Sequence, residues 1–80
     1  MPHKIPPMPS RKFVALLAKG NARLICQRGT SHAIFKRISK GITYHATVVI
    51  AKDELSSHYM LIVLRQLGFT DDEIDNLLGQ

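Results

Sequence analysis

Two short turns constrain the fold of this chain more than any other feature, because they divide its middle into three short segments suited to strands. Residues 28–31 contain Gly29 and form the first turn, and Lys40-Gly41 forms the second. Connections this short join antiparallel neighbours, since parallel strands need a crossover of a dozen or more residues. The sequence therefore predicts a three-stranded antiparallel meander with strands over residues 22–27, 32–38 and 44–51.

Helical periodicity appears on both sides of this central region. In the first helix, Ser10 is in position to cap the N-terminus and Gly20 to end it. A longer helix follows the strands, capped by Asp53 or Ser56 and ending at Gly68. The apolar faces consist of Phe13, Leu16 and Leu17 in the first helix and of Met60, Val63, Leu64 and Leu67 in the second.

A short third helix is predicted at the C-terminal end. Thr70 and Glu73 have the spacing of a capping box, and Ile74, Leu77 and Leu78 form an apolar stripe behind it. Together the segments predict an α+β domain of two layers, in the order α-β-β-β-α with a short C-terminal helix. This order is that of the double-stranded-RNA-binding (dsRBD) fold, although topology alone does not define a function.

Size and composition predict one domain over residues 10–80. All four prolines of the 80-residue chain lie within residues 1–9, which are expected to form a flexible N-terminal arm. The one cysteine, Cys26, cannot form an internal disulfide; it shares a side of its alternating strand with Leu24 and is expected in the core. No leader sequence or apolar run of membrane-spanning length occurs, which predicts a cytoplasmic protein without membrane contact.

Charge is distributed unevenly along the chain. Residues 1–52 contain ten Lys and Arg and no Asp or Glu, whereas residues 53–80 contain all six acidic residues and one basic residue, Arg65. The two segments carry +10 and −5, which sum to the net charge of +5. Because cations without interspersed acids produce a strong positive potential, we expect a polyanionic partner, and nucleic acid in particular.

The first turn leads directly into His32 at the start of the second predicted strand. Imidazole is the side chain that titrates near neutral pH. Arg28 opens the turn, and Lys36 and Arg37 follow in the strand. A histidine at a strand end beside fixed positive charge suits chemistry on a phosphate, which makes His32 a candidate catalytic residue, whereas composition alone more often indicates a half-exposed strand histidine.

The order and spacing of several motifs resemble the HicA family of small bacterial toxins, also called YcfA-like. The motifs are residues 16–20 (LLAKG), residues 29–32 (GTSH), Glu54-Leu55 and residues 63–70 (VLRQLGFT). The resemblance covers about residues 10–78. The chain departs from the family at Asn21, where an aromatic residue is usual, and at Val49-Ile50-Ala51, where Pro-x-His is common.

This resemblance implies a dsRBD-like fold, ribosome-independent cleavage of mRNA, and an essential histidine that corresponds to His32. It also implies a HicB-type antitoxin that covers the active site, and hence a hetero-oligomer. Cleavage without metal needs a base for the ribose 2′-hydroxyl, donors to the charged transition state and a proton for the leaving oxygen. The predicted RNA contacts are Arg11, Lys12, Arg28, Gly29, Thr30, Ser31, Lys36 and Arg37.

Several roles have alternatives. Thr30 and Ser31 either bind phosphate or only close the turn, and His45 is either an accessory acid or base or a surface histidine. No His or Cys pair has the short spacing of zinc ligands, so no metal site and no cofactor is predicted. Two other functions would use the same basic surface: a non-catalytic RNA-binding module, which does not need His32, and a structural domain that binds an acidic protein.

Overall fold

Both hairpin turns lie where the sequence predicts them. The computed structural model describes residues 5–29 and 31–79 of the chain. At the second turn, Lys40 and Gly41 have φ angles of 52° and 78°, the positive values of a tight two-residue hairpin loop. Because only these two residues separate the second and third strands, the third strand begins at residue 42 and not at residue 44 as predicted.

Six elements follow one another in the order helix, three strands, helix and helix. They are α1 (Ser10–Lys19), β1 (Arg23–Arg28), β2 (His32–Ser39), β3 (Ile42–Val49), α2 (Ser57–Gln66) and α3 (Asp71–Leu77). The strands form one open antiparallel sheet in the order β1-β2-β3. The predicted α+β class and three-stranded antiparallel sheet are confirmed. Within the described ranges, no helix is long and apolar enough to cross a membrane.

The two faces of the sheet differ sharply in burial. In β2, Ala33 and Phe35 are buried, whereas His32 is exposed and Ile34 and Lys36 are only partly covered. We call the side with Ala33 and Phe35 the core face, and the side with His32, Ile34 and Lys36 the open face. Strand pairing extends the open face onto β3, where the partners of His32, Ile34 and Lys36 are Val49, Thr47 and His45.

The core lies between the core face and the helices. The predicted apolar faces of the helices supply its largest fully buried side chains, which include Phe13, Leu17, Met60, Leu64, Leu67 and Ile74. Phe35, Ala46 and Val48 supply the facing side chains of the sheet. Since helical and strand periodicity place these residues on one side of each element, the sequence pattern accounts for this part of the core.

A close approach explains the glycine after α2. Leu67 caps the C-terminus of α2, and Gly68 follows with a φ of 77°, a conformation that side chains disfavour. A Cβ atom at Gly68 would also overlap the ring of Tyr44, which packs against the core from β3. Gly68 therefore allows the end of α2 to lie directly on the sheet.

Strand β1 departs from the predicted alternation. A bulge between Leu24 and Cys26 shifts the register, so that Leu24 pairs with Phe35 and Cys26 pairs with Ile34. The two side chains therefore do not share a face, and the prediction that Cys26 is buried is wrong: it is an exposed free thiol. The physical reason is that β1 is an edge strand that the helices do not cover, since Leu24 is 53% exposed even on the core side.

The segment before α1 is also not a free arm over the part that the structure describes. Ile5 is 2% exposed, and Met8 forms a short antiparallel bridge with Leu55 through hydrogen bonds of 3.4 and 2.7 Å. Residues 1–4 lie outside the described range. The prediction of a flexible arm is therefore wrong for residues 5–9, because apolar Ile5 and Met8 pack on the domain between the prolines.

Helix capping agrees with the sequence at two of three helices. Ser56 accepts a hydrogen bond from the Tyr59 N–H, and Thr70 and Glu73 form the predicted capping box. Ser10 is not a cap, since Pro9 occupies that position. Ser10 is buried, and its hydroxyl accepts a hydrogen bond from the Lys52 N–H at 3.1 Å. It fastens the start of α1 to the segment between β3 and α2.

Arg37 is the buried cation of the core face. Its guanidinium donates to the carbonyl oxygens of Gly20 at 3.2 Å and Leu67 at 3.1 Å, and it pairs with the Glu73 carboxylate. It also stacks 3.9 Å from the centroid of the Phe69 ring. Gly20 and Leu67 cap the C-termini of α1 and α2, where unpaired carbonyls favour a cation. Arg37 therefore joins the ends of all three helices.

The pH dependence of stability follows from Glu73. The backbone N–H of Thr70 lowers the pKa of the Glu73 carboxyl, partial burial opposes this, and Arg37 lowers the pKa further. A carboxyl with a lowered folded-state pKa stabilises the fold above its unfolded pKa, and this stability is lost as the pH falls through the folded value. We expect the melting temperature of the wild type to exceed that of Glu73→Gln at pH 7, and the difference to shrink below about pH 4.

The measurement is thermal unfolding between pH 7 and pH 2.5. Asp72→Asn is the matched control, because Asp72 is exposed in the same first turn of α3. Its difference from the wild type should be small throughout. A Glu73→Gln deficit of the same size at every pH would contradict the assignment.

Candidate active site

His32 lies where the first hairpin returns to the sheet. It is the first residue of β2, pairs with Arg28 across the hairpin and with Val49 on the other side, and is exposed. Because the helices pack on the opposite face, nothing in the described residues covers the imidazole. A substrate approaching the open face can therefore reach His32 directly.

Ser31 orients the imidazole. Its hydroxyl lies 3.1 Å from Nδ1 of His32, and its carbonyl accepts a hydrogen bond of 2.8 Å from the Ile50 N–H. The second bond anchors the end of the turn to the residue after β3. When Nδ1 carries the proton and donates to Ser31, Nε2 presents its lone pair to solvent, as a general base requires. Both predicted roles of Ser31, phosphate binding and turn closure, stay predictions, and the structure adds this contact with His32.

The cation nearest to His32 in the sheet is Arg28. Directly opposed residues of an antiparallel pair have Cβ atoms about 4.5–5.5 Å apart, so the two side chains start side by side. Gly29 follows Arg28 with a φ of 66°, which supports its predicted backbone role in the turn. Thr30, the remaining predicted turn residue, lies outside the described residues.

The start of α1 lies at the same end of the sheet. Ile50 is bonded to Ser31, and Lys52 two residues later is bonded through its backbone to Ser10. Arg11 and Lys12 follow Ser10 and are exposed. The fold therefore brings these predicted contacts toward the hairpin end of the molecule, although they are distant from His32 in sequence.

Lys36 and His45 form a separate row on the open face. They pair with each other, and Lys36 also pairs with Arg23 of β1. Four residues along β2 separate Lys36 from His32, which corresponds to about 13 Å at the usual rise of a strand. The structure therefore does not bring His45 next to His32, and the two histidines do not converge on one phosphodiester.

Arg37 does not belong to the site. It was predicted to contact phosphate, but it is 7% exposed on the core face and its guanidinium is occupied by two carbonyls and Glu73. Strand alternation places Arg37 and Lys36 on opposite faces. The prediction for Arg37 is corrected to a structural role.

A concave surface that was not predicted from the sequence lies beside β3, and we call it the β3–α2 groove. Its lining includes Ile25, Ile34, Thr47, Tyr59, Ile62 and Gln66. Tyr59, Ile62 and Gln66 recur at i, i+3 and i+7, so they form a second stripe of α2 beside the one in the core. That spacing was the available signal. The groove itself forms only in the tertiary structure, which brings this stripe beside the sheet.

Tyr59 also closes part of the free edge of β3. The Val49 N–H donates to its hydroxyl at 3.1 Å, and the hydroxyl donates to the Thr47 carbonyl at 3.4 Å. This pairing satisfies two backbone groups that no neighbouring strand can reach, since β3 is the last strand of the sheet.

Comparisons with protein-family models, with curated proteins and with solved structures give no match. Within residues 5–29 and 31–79, no three His, Cys, Asp or Glu side chains are grouped closely enough to hold a metal ion. Assignment of a function therefore depends on the residues of the site and on the sequence resemblance.

Proposed function

We propose that the protein is a HicA-type endoribonuclease with a dsRBD-like fold that cleaves mRNA in the cytoplasm. The observation that carries the proposal is the exposed imidazole of His32, held by Ser31 at Nδ1 and paired across the hairpin with Arg28. A basic surface supplies affinity for RNA, and the histidine supplies proton transfer. The sequence resemblance and the charge asymmetry support the same conclusion.

In the proposed reaction, Nε2 of His32 removes the proton of a ribose 2′-hydroxyl. The 2′-oxygen then attacks the adjacent phosphorus, and the bond to the 5′-oxygen breaks. Arg28 stabilises the additional negative charge on the phosphoryl oxygens. The leaving oxygen takes a proton from water or from the imidazolium, and the products carry a 2′,3′-cyclic phosphate and a 5′-hydroxyl.

The proposed inhibitor is a HicB-type antitoxin that covers His32. The hairpin end projects an imidazole and several cations, so an acidic protein surface would complement it. Such a partner would block RNA from the same residues. Formation of a complex is therefore expected to suppress cleavage.

The test of the proposal is cleavage of single-stranded RNA by the purified chain in EDTA. We expect cutting with cyclic-phosphate and 5′-hydroxyl ends, which mass spectrometry of the fragments identifies. His32→Ala, purified in parallel, detects contaminating ribonuclease. Intact RNA after prolonged incubation with folded wild-type protein would contradict the proposal.

A non-catalytic RNA-binding module is the second candidate. The position of His45 favours it: His45 pairs with Lys36, which lies about 13 Å along β2 from His32, so two-histidine acid–base catalysis on one phosphate is not available. This candidate predicts RNA binding without cleavage. It also predicts that His32→Ala behaves as the wild type.

A further inference from the structure

The β3–α2 groove lies next to the candidate active site on the open face. Ile34 in its wall is two residues from His32 along β2, which corresponds to about 7 Å. On the far side of Ile34, Lys36 and Arg23 form a second basic row of the open face. A single strand of RNA with a phosphate at His32 would therefore pass over the groove before it reaches the second basic row.

The groove contains backbone groups suited to hydrogen bonding. The bonds of Tyr59 to Val49 and Thr47 show that these β3 residues direct their backbone groups away from β2. In an antiparallel pair this direction repeats at every second residue, so His45 points its groups the same way. The carbonyl of His45 and the N–H of Thr47 thus form an adjacent acceptor and donor at the groove wall.

We propose that the β3–α2 groove binds one unpaired nucleobase of single-stranded RNA. This inference rests on the proposed function, because it takes RNA as the ligand. Each nucleobase presents neighbouring donor and acceptor groups on its Watson–Crick edge, which suits the His45 carbonyl and the Thr47 N–H. The apolar side chains Ile34 and Ile62 and the ring of Tyr59 provide the flat contact surface.

Charge and shape favour a nucleobase over a peptide strand at this edge. Tyr59 already occupies the Val49 end of β3, so an added strand would find only part of the edge unpaired. Arg28 beside His32 and Lys36 beyond Ile34 lie on opposite sides of the groove, where they suit the phosphates that flank a bound base. A base in the groove would select which phosphodiester reaches His32.

The test measures RNA binding in a His32→Ala background, so that cleavage does not enter. Thr47→Pro removes the N–H donor at an edge position where proline is tolerated. Thr43→Pro is the matched control: it makes the same change at the same edge of β3, and Thr43 does not line the groove. The probes are labelled single-stranded oligonucleotides of four kinds, namely poly-A, poly-C, poly-U and a sequence that contains G. A duplex of equal length is the fifth probe.

We expect Thr47→Pro to weaken single-strand binding about 5- to 10-fold, the cost of one hydrogen bond, and Thr43→Pro to change it less than about twofold. Affinity for the duplex should be equal in the two variants, because the Watson–Crick edges of its bases are already paired with each other. A second pair avoids the backbone: Ile62→Trp fills the groove, and His58→Trp adds the same ring at an exposed position of α2 outside it. Ile62→Trp should show the same selective loss.

Equal single-strand binding by the groove variants and their controls would overturn the inference and leave the groove for another ligand, such as a protein side chain. If the control variants do not bind RNA at all, both the nucleobase-binding inference and the proposed function are overturned. Selective loss in the groove variants, in a protein whose wild type never cuts RNA, would overturn only the proposed nuclease activity. The two proposals can therefore fail separately.

Discussion

Replacement of His32 by alanine is expected to reduce RNA cleavage by on the order of 10²- to 10⁴-fold, the usual contribution of a positioned acid or base. His32 is exposed, and its side chain contacts the hydroxyl of Ser31, so the change should leave the fold intact. RNA affinity should also persist, because Arg28 and the basic residues of α1 remain. The expected signature is therefore lost cutting with retained binding.

Three measurements separate this result from a general defect. Cleavage rates of wild type and His32→Ala are compared under single-turnover conditions, RNA binding is measured by anisotropy, and thermal unfolding confirms the fold. His58→Ala is the matched histidine control, since His58 is exposed in α2, an element that contributes no residue to the candidate active site. It should cut at the wild-type rate. Cutting by His32→Ala at that rate would remove His32 from the mechanism and favour the RNA-binding module.

Replacement of Arg37 by alanine is expected to lower the free energy of unfolding by about 3–5 kcal/mol, because it removes a buried guanidinium, two hydrogen bonds to carbonyls and a half-exposed ion pair. The variant would leave the carbonyls of Gly20 and Leu67 without their donor and Glu73 without its cation. It would also leave a gap against Phe69. A domain of this size has a total stability of roughly 4–12 kcal/mol, so much of the population could unfold.

Urea unfolding measures this effect. Lys36→Ala is the matched control, because Lys36 is the neighbouring cation on the open face and its loss should change stability by no more than about 0.5 kcal/mol. Arg37→Lys keeps the charge but loses the planar set of donors, so it should fall between the two. A loss below about 1 kcal/mol in Arg37→Ala would show that the contacts among the helix ends are not stabilising.

The elements whose chemistry is local were predictable. Lys40-Gly41 forms its turn because positive φ is available there, and Thr70 with Glu73 forms its cap because both partners lie within one helical turn. Helix and strand periodicity likewise identified most of the core. The start of β3 was predicted two residues too late, because the length of the loop depends on how both strands pair.

The errors in the predicted structure involve residues whose environment depends on distant parts of the chain. Ser10 has a side chain suited to capping, but its hydroxyl accepts a hydrogen bond from the backbone N–H of Lys52, which is 42 positions away. Cys26 lies in a strand with an alternating pattern, but a bulge and an uncovered edge expose it. Ile5 is buried although the prolines around it indicate an open segment.

The candidate site shows the same division. From sequence alone, His32 follows a glycine turn at the start of a strand, and strand alternation separates Lys36 from Arg37. Which of these two cations faces solvent depends on the side of the sheet that the helices cover, and that choice is made by packing of apolar area. Tertiary structure therefore exposed His32 and buried Arg37. It also created the β3–α2 groove, because a groove between two elements exists only once both are in place.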